Sequence, residues 1–152
     1  VRFPSMVEGY AIHRDRLENM LDKMDPRIST RLLAGGQMSG PDYYDVLQFK
    51  QSLTERAGRI TANYDAIIMP TIPVIAPPID RFKGSDEAER DPFIIVIRNT
   101  SIGNLLDRCS LSIPCHDAGA APVGFMLTCE NMADKRMLAI GLSVDRLLSP
   151  NL

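Results

Sequence analysis

"NTSIGNLLDRCSLSIPCHDAGAAPVGFMLTCE", Asn99 to Glu130, decides how the rest of this chain is read. It holds two short runs with strand alternation. In "CSLSIPC", Cys109, Leu111, Ile113 and Cys115 fall on one face and Ser110 and Ser112 on the other. In "VGFMLTC", Val123, Phe125, Leu127 and Cys129 fall together. The intervening "HDAGAAP" is short enough to let the two runs pair antiparallel.

Outward from this pair, Pro92 to Leu106 predicts a helix carrying Asn99, Thr100 and Ser101 in its middle, and Met132 to Leu148 predicts a closing helix. "DAIIMP", Asp65 to Pro70, is a continuous apolar run bounded by Asp and Pro, the pattern of a strand buried on both faces. Pro73, Pro77 and Pro78 bar the next segment from a central ladder, and Asp80 to Asp91 is polar enough for a surface loop.

The first part of the chain is helical in pattern. Met6, Tyr10, Leu17, Met20, Leu21 and Met24 recur along Ser5 to Met24, and Asp25-Pro26 stops that run. A short helix over Arg27 to Ala34 ends at Gly35-Gly36. "SGPDYYD" starts a third helix, with Ser39 or Gly40 at the cap, Pro41 in the first turn, and Asp42 and Asp45 near the positive end of the dipole. Val46, Phe49, Leu53, Ala57, Ile60 and Tyr64 step down its apolar side. Residues 1–64 are thus expected to be mainly helical and 65–152 to hold strands plus helices. The fold class is α/β: helices flanking a partial mixed sheet, with an antiparallel pair near 109–129.

At 152 residues the chain is one domain's worth of polypeptide, able to bury ~70% of its unfolded surface. A net charge of −2 without a basic stripe argues against nucleic acid. The longest apolar run, "FIIVI", is too short to span a membrane, and "VRFPSMVEGYAIHRDR" has no signal-peptide core. Three cysteines without C-x-x-C spacing point to a reduced, cytoplasmic protein. The chain begins at Val and not at Met, so it is expected either to be trimmed or to begin inside a longer protein.

Motif chemistry alone yields no active site. A G-x-S-x-G elbow is absent, and the two histidines are His13 in a charge-rich helix and His116 in a turn. Cys115-His116 offers a thiol and an imidazole, but neighbours in an extended segment point to opposite sides, so a buried Cys and a solvated His are expected. Cys109, Cys115, His116 and Cys129 read as a core cluster before a metal site. Gly35, Gly36 and Ser39 lack the Lys-Ser/Thr of a phosphate loop.

Assembled in order, the pieces resemble a known family. "YDAIIMPTIPVIAPPI", "NTSIGNLLDRCSLSIPC" and "GAAPVGFMLTCE" are similar to the C-terminal portion of the amidase signature hydrolases. The match rests on Tyr64, Asp65, Pro70, Thr71, Pro73, Ala76 and Pro77; on Thr100, Asn104, Leu105, Ser112, Ile113 and Pro114; and on Pro122, Val123, Gly124 and Leu127. The helices in "EGYAIHRDRLENMLDKMDPRISTRLLAGGQMSGPDYYDVL" extend it over nearly the whole chain.

The resemblance implies an α/β/α sandwich and a parent enzyme that hydrolyses a small carboxamide with no cofactor and no metal. It implies a Ser–cis-Ser–Lys triad on a Gly/Ser-rich signature and an earlier Lys. Gly35-Gly36-Gln37-Met38-Ser39 is not that signature, and Lys23, Lys50, Lys83 and Lys135 are not the triad lysine. No catalytic residue is therefore expected here. Arg98, Thr100 and Asn104 are the expected pocket-bordering residues. Ile97 stands where the tRNA-dependent amidotransferase branch has an acidic residue, and "NLLD" leans toward general amidase or allophanate-hydrolase-like members. The expected partner is an N-terminal amidase region or a second copy of the chain. The competing reading is a non-enzymatic subunit that completes its sheet by association.

Overall fold

The computed structural model describes residues 4–78 and 86–148, with side chains from residue 95 onward in the second stretch. The chain divides into two compact units, Val1–Ser52 and Leu53–Leu152.

The first unit is helical. α1 (Pro4–Asn19) ends before the expected Met24; a short 3-10 turn, Leu21–Lys23, leads on to α2 (Pro26–Gly35). Asp25 caps α2: its Oδ1 accepts from the Arg27 amide at 2.8 Å, and Pro26 takes the first turn, where no amide hydrogen is needed. α1 and α2 approach closely. A Cβ on Gly35 would overlap the Met6 carbonyl, and one on Gly9 would lie 2.7 Å from Leu32 Cδ2. α3 (Gly40–Thr61) opens on Ser39, whose hydroxyl accepts from the Asp42 amide at 3.2 Å and donates to the Asp42 carboxylate at 2.7 Å. Within this unit Tyr43 donates its hydroxyl to Glu8 at 3.0 Å, and that carboxylate raises the phenol's pKa.

α3 corrects one expectation. Its apolar stripe is not a core face: no residue of the helix is buried, and Phe49 and Ile60 stand largely exposed. A helix pattern specifies which residues seek burial, and the described residues supply too little to cover this one.

The second unit is built on three strands: β1 (Ile67–Pro70), β2 (Ser110–Pro114) and β3 (Gly124–Thr128). Their order is β1-β3-β2, both neighbours antiparallel to β3, so β1 and β2 run parallel with β3 between them. The register pairs Ser110 with Thr128, Ile113 with Phe125 and Ile68 with Leu127. The antiparallel pair stands where its alternation puts it.

Two strand expectations need correction. β1 is not buried on both faces: it lies at the sheet edge, with Ile68 60% exposed. β3, expected to bury Phe125 and Leu127 on one side, is instead buried on both, with Met126, Leu127 and Thr128 all enclosed. A central strand has two covered faces, and periodicity cannot tell a central strand from an edge.

Helices lie on the two sides of the sheet. α5 (Asp134–Leu148) packs on the face of Leu111 and Ile113, where Gly141 sits so close to Leu111 that a Cβ would overlap its Cδ2. α4 (Asp86–Leu105) approaches the opposite, Ser/Thr-bearing face, with Gly103 over Ser110. This is the α/β layering expected. α4 begins six residues before the expected Pro92, so Asp86 to Asp91 are helical and not loop; the remainder of that expected loop, 80–85, lies outside the described residues. Met132 precedes α5 with φ of 60°, exposed in a turn. Among the described residues the core apolar side chains are Ile113, Met126, Leu127, Cys129 and Met137 in this unit and Leu17 in the first.

Candidate functional site

The motif residues gather at one end of the sheet. β1 ends at Pro70, β2 at Pro114, and β3 begins at Gly124, so the antiparallel register brings three sequence-distant segments to a single edge. Thr71 continues the β1 ladder by donating its amide to the Gly124 carbonyl at 2.8 Å. Its hydroxyl meets the Ser112 hydroxyl at 2.5 Å, bridging β1 to β2 across the central strand.

Gly124 makes that bridge possible. A Cβ there would stand 2.5 Å from both Ser112 Oγ and Thr71 Oγ1, closer than side chains tolerate. A second hydroxyl pair, Ser110 with Thr128 at 2.9 Å, lies further along the same face.

α4 joins this end through Asn99. Its side-chain amide donates to the Pro70 carbonyl at 2.7 Å, and the residue is only 7% exposed. Pro70 is the last residue of β1, and the buried Asn99 side chain thereby ties α4 to the end of that strand. The sequence places Asn99 only as a helix-middle residue; a polar residue in an apolar helical run, next to Thr100, is the signal that could have marked it.

The expected pocket residues do not form one cluster. Thr100 and Asn104 are four apart on α4 and share a helical face, both exposed. Thr100 spends its hydroxyl on the Ile97 carbonyl at 3.0 Å. Arg98, two residues before Thr100, projects about 160° away on the helical wheel; it is exposed, and its Nε donates to Asn99 Oδ1 at 3.4 Å.

Cys115 and His116 depart from expectation. Cys115 is exposed, not a core thiol, because β2 stops at Pro114. Thiol and imidazole both face the Val123 carbonyl, at 3.6 and 3.4 Å, so the thiol donates to that oxygen and not to the ring. Cys109 and Cys129 flank the far end of the sheet, joined by the Cys129 amide donating to the Cys109 carbonyl at 3.0 Å. About 20 Å of extended chain separates Cys109 from Cys115, so the cysteines do not converge, and among the described residues no three His, Cys, Asp or Glu side chains group to hold a metal. Burial raises the Cys129 pKa, with the nearby Cys109 thiol adding to it.

Two arginines tie the framework behind this end. Arg108 donates to the Thr61 hydroxyl at 2.7 Å, and Thr61 in turn donates to the Ala57 carbonyl at 2.9 Å. Arg136 pairs with Asp65, which raises the guanidinium pKa further.

A three-strand antiparallel sheet between helices, with proline-bounded strands meeting over a glycine, has clear counterparts among solved structures. A crystal structure of an amidase superposes with a TM-score of 0.78 at 24% identity, over 94% of this chain and 33% of the other. The S177A allophanate hydrolase of Kluyveromyces lactis also reaches 0.78, at 19% identity, over 97% of this chain and 24% of the other. The fold is that of the amidase signature enzymes.

The sequence agrees. The family model described as Amidase matches residues 8–138, and the chain belongs to that family. A 2-amino-5-chloromuconic acid deaminase from Comamonas testosteroni is 29% identical over 84% of this chain and 28% of its own length. A glutamyl-tRNA(Gln) amidotransferase subunit from Sulfolobus acidocaldarius is 24% identical over 96% of this chain and 32% of its own. The chain thus spans about a third or less of the relatives it matches. No helix among the described residues is long and apolar enough to cross a membrane.

Proposed function

We propose that this chain is the C-terminal structural and pocket-bordering segment of a carbon–nitrogen hydrolase acting on a small carboxamide, and that it is catalytically incomplete alone. The observation that carries the reading is the convergence of Thr71, Ser112 and Gly124 at one sheet end, with no base beside either hydroxyl among the described residues. One of the two hydroxyls donates to the other, a strand-to-strand bridge that suits a scaffold. Acyl transfer by a serine needs a proton relay and backbone donors aimed at the developing oxyanion. In this reading the Ser–cis-Ser–Lys triad comes from polypeptide outside these 152 residues. Of the residues expected at the pocket, Thr100 and Asn104, which share a face of α4, border its acyl side in this reading, and Arg98 does not. The relatives' names, an allophanate hydrolase, a deaminase and an amidotransferase subunit, support a C–N substrate class. A reducing, cytoplasmic setting accords with the three free thiols.

The exposed edge of β1 supports a partner. Ile68, Ile72, Val74 and Ile75 are exposed side chains that a neighbouring segment would cover. An N-terminal amidase region is the occupant we favour. Self-association through the same edge is the second reading, and light scattering separates them: a well-behaved monomer removes it. The functional test is ammonia release from simple amides. The 152-residue chain should release none; release that a single serine substitution within it abolishes would overturn the proposal.

A further inference from the structure

At the end of the sheet away from Gly124, β2 and β3 keep their register one residue past the strands. Ser110 pairs with Thr128, so Cys109 stands opposite Cys129, and the Cys129 amide donates to the Cys109 carbonyl at 3.0 Å. Directly opposed residues of an antiparallel pair carry their side chains on the same face. Where such residues are hydrogen-bonded their Cα atoms lie about 5.5 Å apart, within the span that a disulfide bridges. The Cys109 sulfur is already turned toward β3: it donates at 3.1 Å to the carbonyl of Glu130, the residue that follows Cys129. Cys129 gives its own thiol to the Asp65 carbonyl at 3.4 Å, on the β1 side. Joining the two sulfurs asks Cys129 to change rotamer and to give up one weak S–H donor.

The two thiols differ in access. Cys109 is partly exposed and Cys129 is buried. Burial holds Cys129 as the protonated thiol, with its pKa raised, and the Cys109 thiol close by pushes it further up. An oxidant from solvent therefore meets Cys109 first, and Cys129 is shielded from direct attack. Cys115, the exposed third thiol, lies about 20 Å along β2 and cannot pair with either within the fold.

We propose that Cys109 and Cys129 form a reversible dithiol–disulfide pair oxidised by a hydroperoxide. The Cys109 sulfur attacks the peroxide and the O–O bond breaks. Cys109 becomes a sulfenic acid, and its thiol proton leaves with the departing alkoxide or hydroxide. The Cys129 sulfur then attacks the Cys109 sulfur and the S–S bond forms. The sulfenic hydroxide leaves as water with the Cys129 proton. Two thiols have then lost two electrons and two protons to the peroxide, and an external dithiol reverses the change. The bond staples β2 to β3 and withdraws the Cys129 donor from Asp65, the residue that pairs with Arg136. The pair is separate from the Thr71–Ser112 bridge and does not depend on the amide-hydrolase reading.

The test is treatment of the full-length protein carrying this chain with a small excess of hydrogen peroxide. Capping with N-ethylmaleimide, digestion without reductant and mass spectrometry follow. The Cys109 and Cys129 peptides should appear joined, two hydrogens lighter than their sum, and dithiothreitol should separate them. Cys115→Ser should leave the yield of that link unchanged. Cys129→Ser should remove it and raise dimedone capture of the Cys109 sulfenic acid about tenfold, because nothing resolves it. The link is read in the unmodified protein, so the test stands whether or not a variant folds. Cys109 joined to any other cysteine, Cys109 carried on to sulfinic acid while Cys129 stays reduced, a link that forms only in urea, or no link at all would each overturn the proposal.

Discussion

Gly124→Ala is the substitution through which the sheet end can be weighed. The new methyl would sit 2.5 Å from Ser112 Oγ and from Thr71 Oγ1, and 3.0 Å from Thr71 Cβ. Neither hydroxyl can stay. Overpacking at such a contact costs about 1–3 kcal/mol, and parting the hydroxyls loses a hydrogen bond worth about 1 kcal/mol. Replacing glycine restrains the unfolded chain and returns about 0.4–1 kcal/mol. The net destabilisation is about 2 kcal/mol, which for a urea slope of about 2 kcal/mol/M lowers the midpoint by about 1 M. Urea unfolding supplies the measurement, with hydrogen exchange of the Thr71 amide as the local readout, because that amide donates to the Gly124 carbonyl. The decisive comparison is a cycle. In a Thr71→Ala/Ser112→Ala background the same glycine change should cost about 1 kcal/mol less, since the oxygens it strikes are gone. Equal costs in the two backgrounds would refute the hydroxyl bridge.

Three further outcomes rest on the same geometry. Gly35→Ala forces a methyl onto the Met6 carbonyl, backbone that cannot rotate away; a loss of about 2–3 kcal/mol is expected in chemical unfolding, against well under that for Gly58→Ala, where a Cβ meets nothing. Asp25 is held at about 2 by the Arg27 side chain and amide, below its ordinary 3.8. A depressed carboxylate stabilises the folded state above its unfolded pKa and loses that contribution as pH falls. The start of α2 should therefore loosen between about pH 4 and pH 2, seen as faster exchange of the Arg27 and Ile28 amides, and Asp25→Asn should flatten that response. The cysteines should alkylate in order of access, with exposed Cys115 first, Cys109 next and buried Cys129 last; mass spectrometry after timed iodoacetamide treatment reads the order, and early labelling of Cys129 would contradict its burial.

Local signals read well from sequence wherever one residue's chemistry suffices. Asp25-Pro26 and Ser39 through Asp42 mark helix starts because a cap needs only its own side chain and an amide two or three residues on. Alternation in "CSLSIPC" places Ser110 and Ser112 opposite Leu111 and Ile113, and the sheet keeps that division. The family motifs, too, are legible as an ordered set.

Tertiary structure decided which strand is central and what meets at its end. The apolar runs of β1 and β3 look equally suited to burial, yet β3 pairs on both sides and β1 on one. Strand order is a property of hydrogen-bonded neighbours far apart in the chain, and no window of sequence contains it. The same holds for Thr71, Gly124 and Ser112, brought together only by an antiparallel register, and for Asn99, which reaches a carbonyl 29 residues earlier. Short-range chemistry is written in the residues themselves; long-range contact exists only once the chain has folded back to make it.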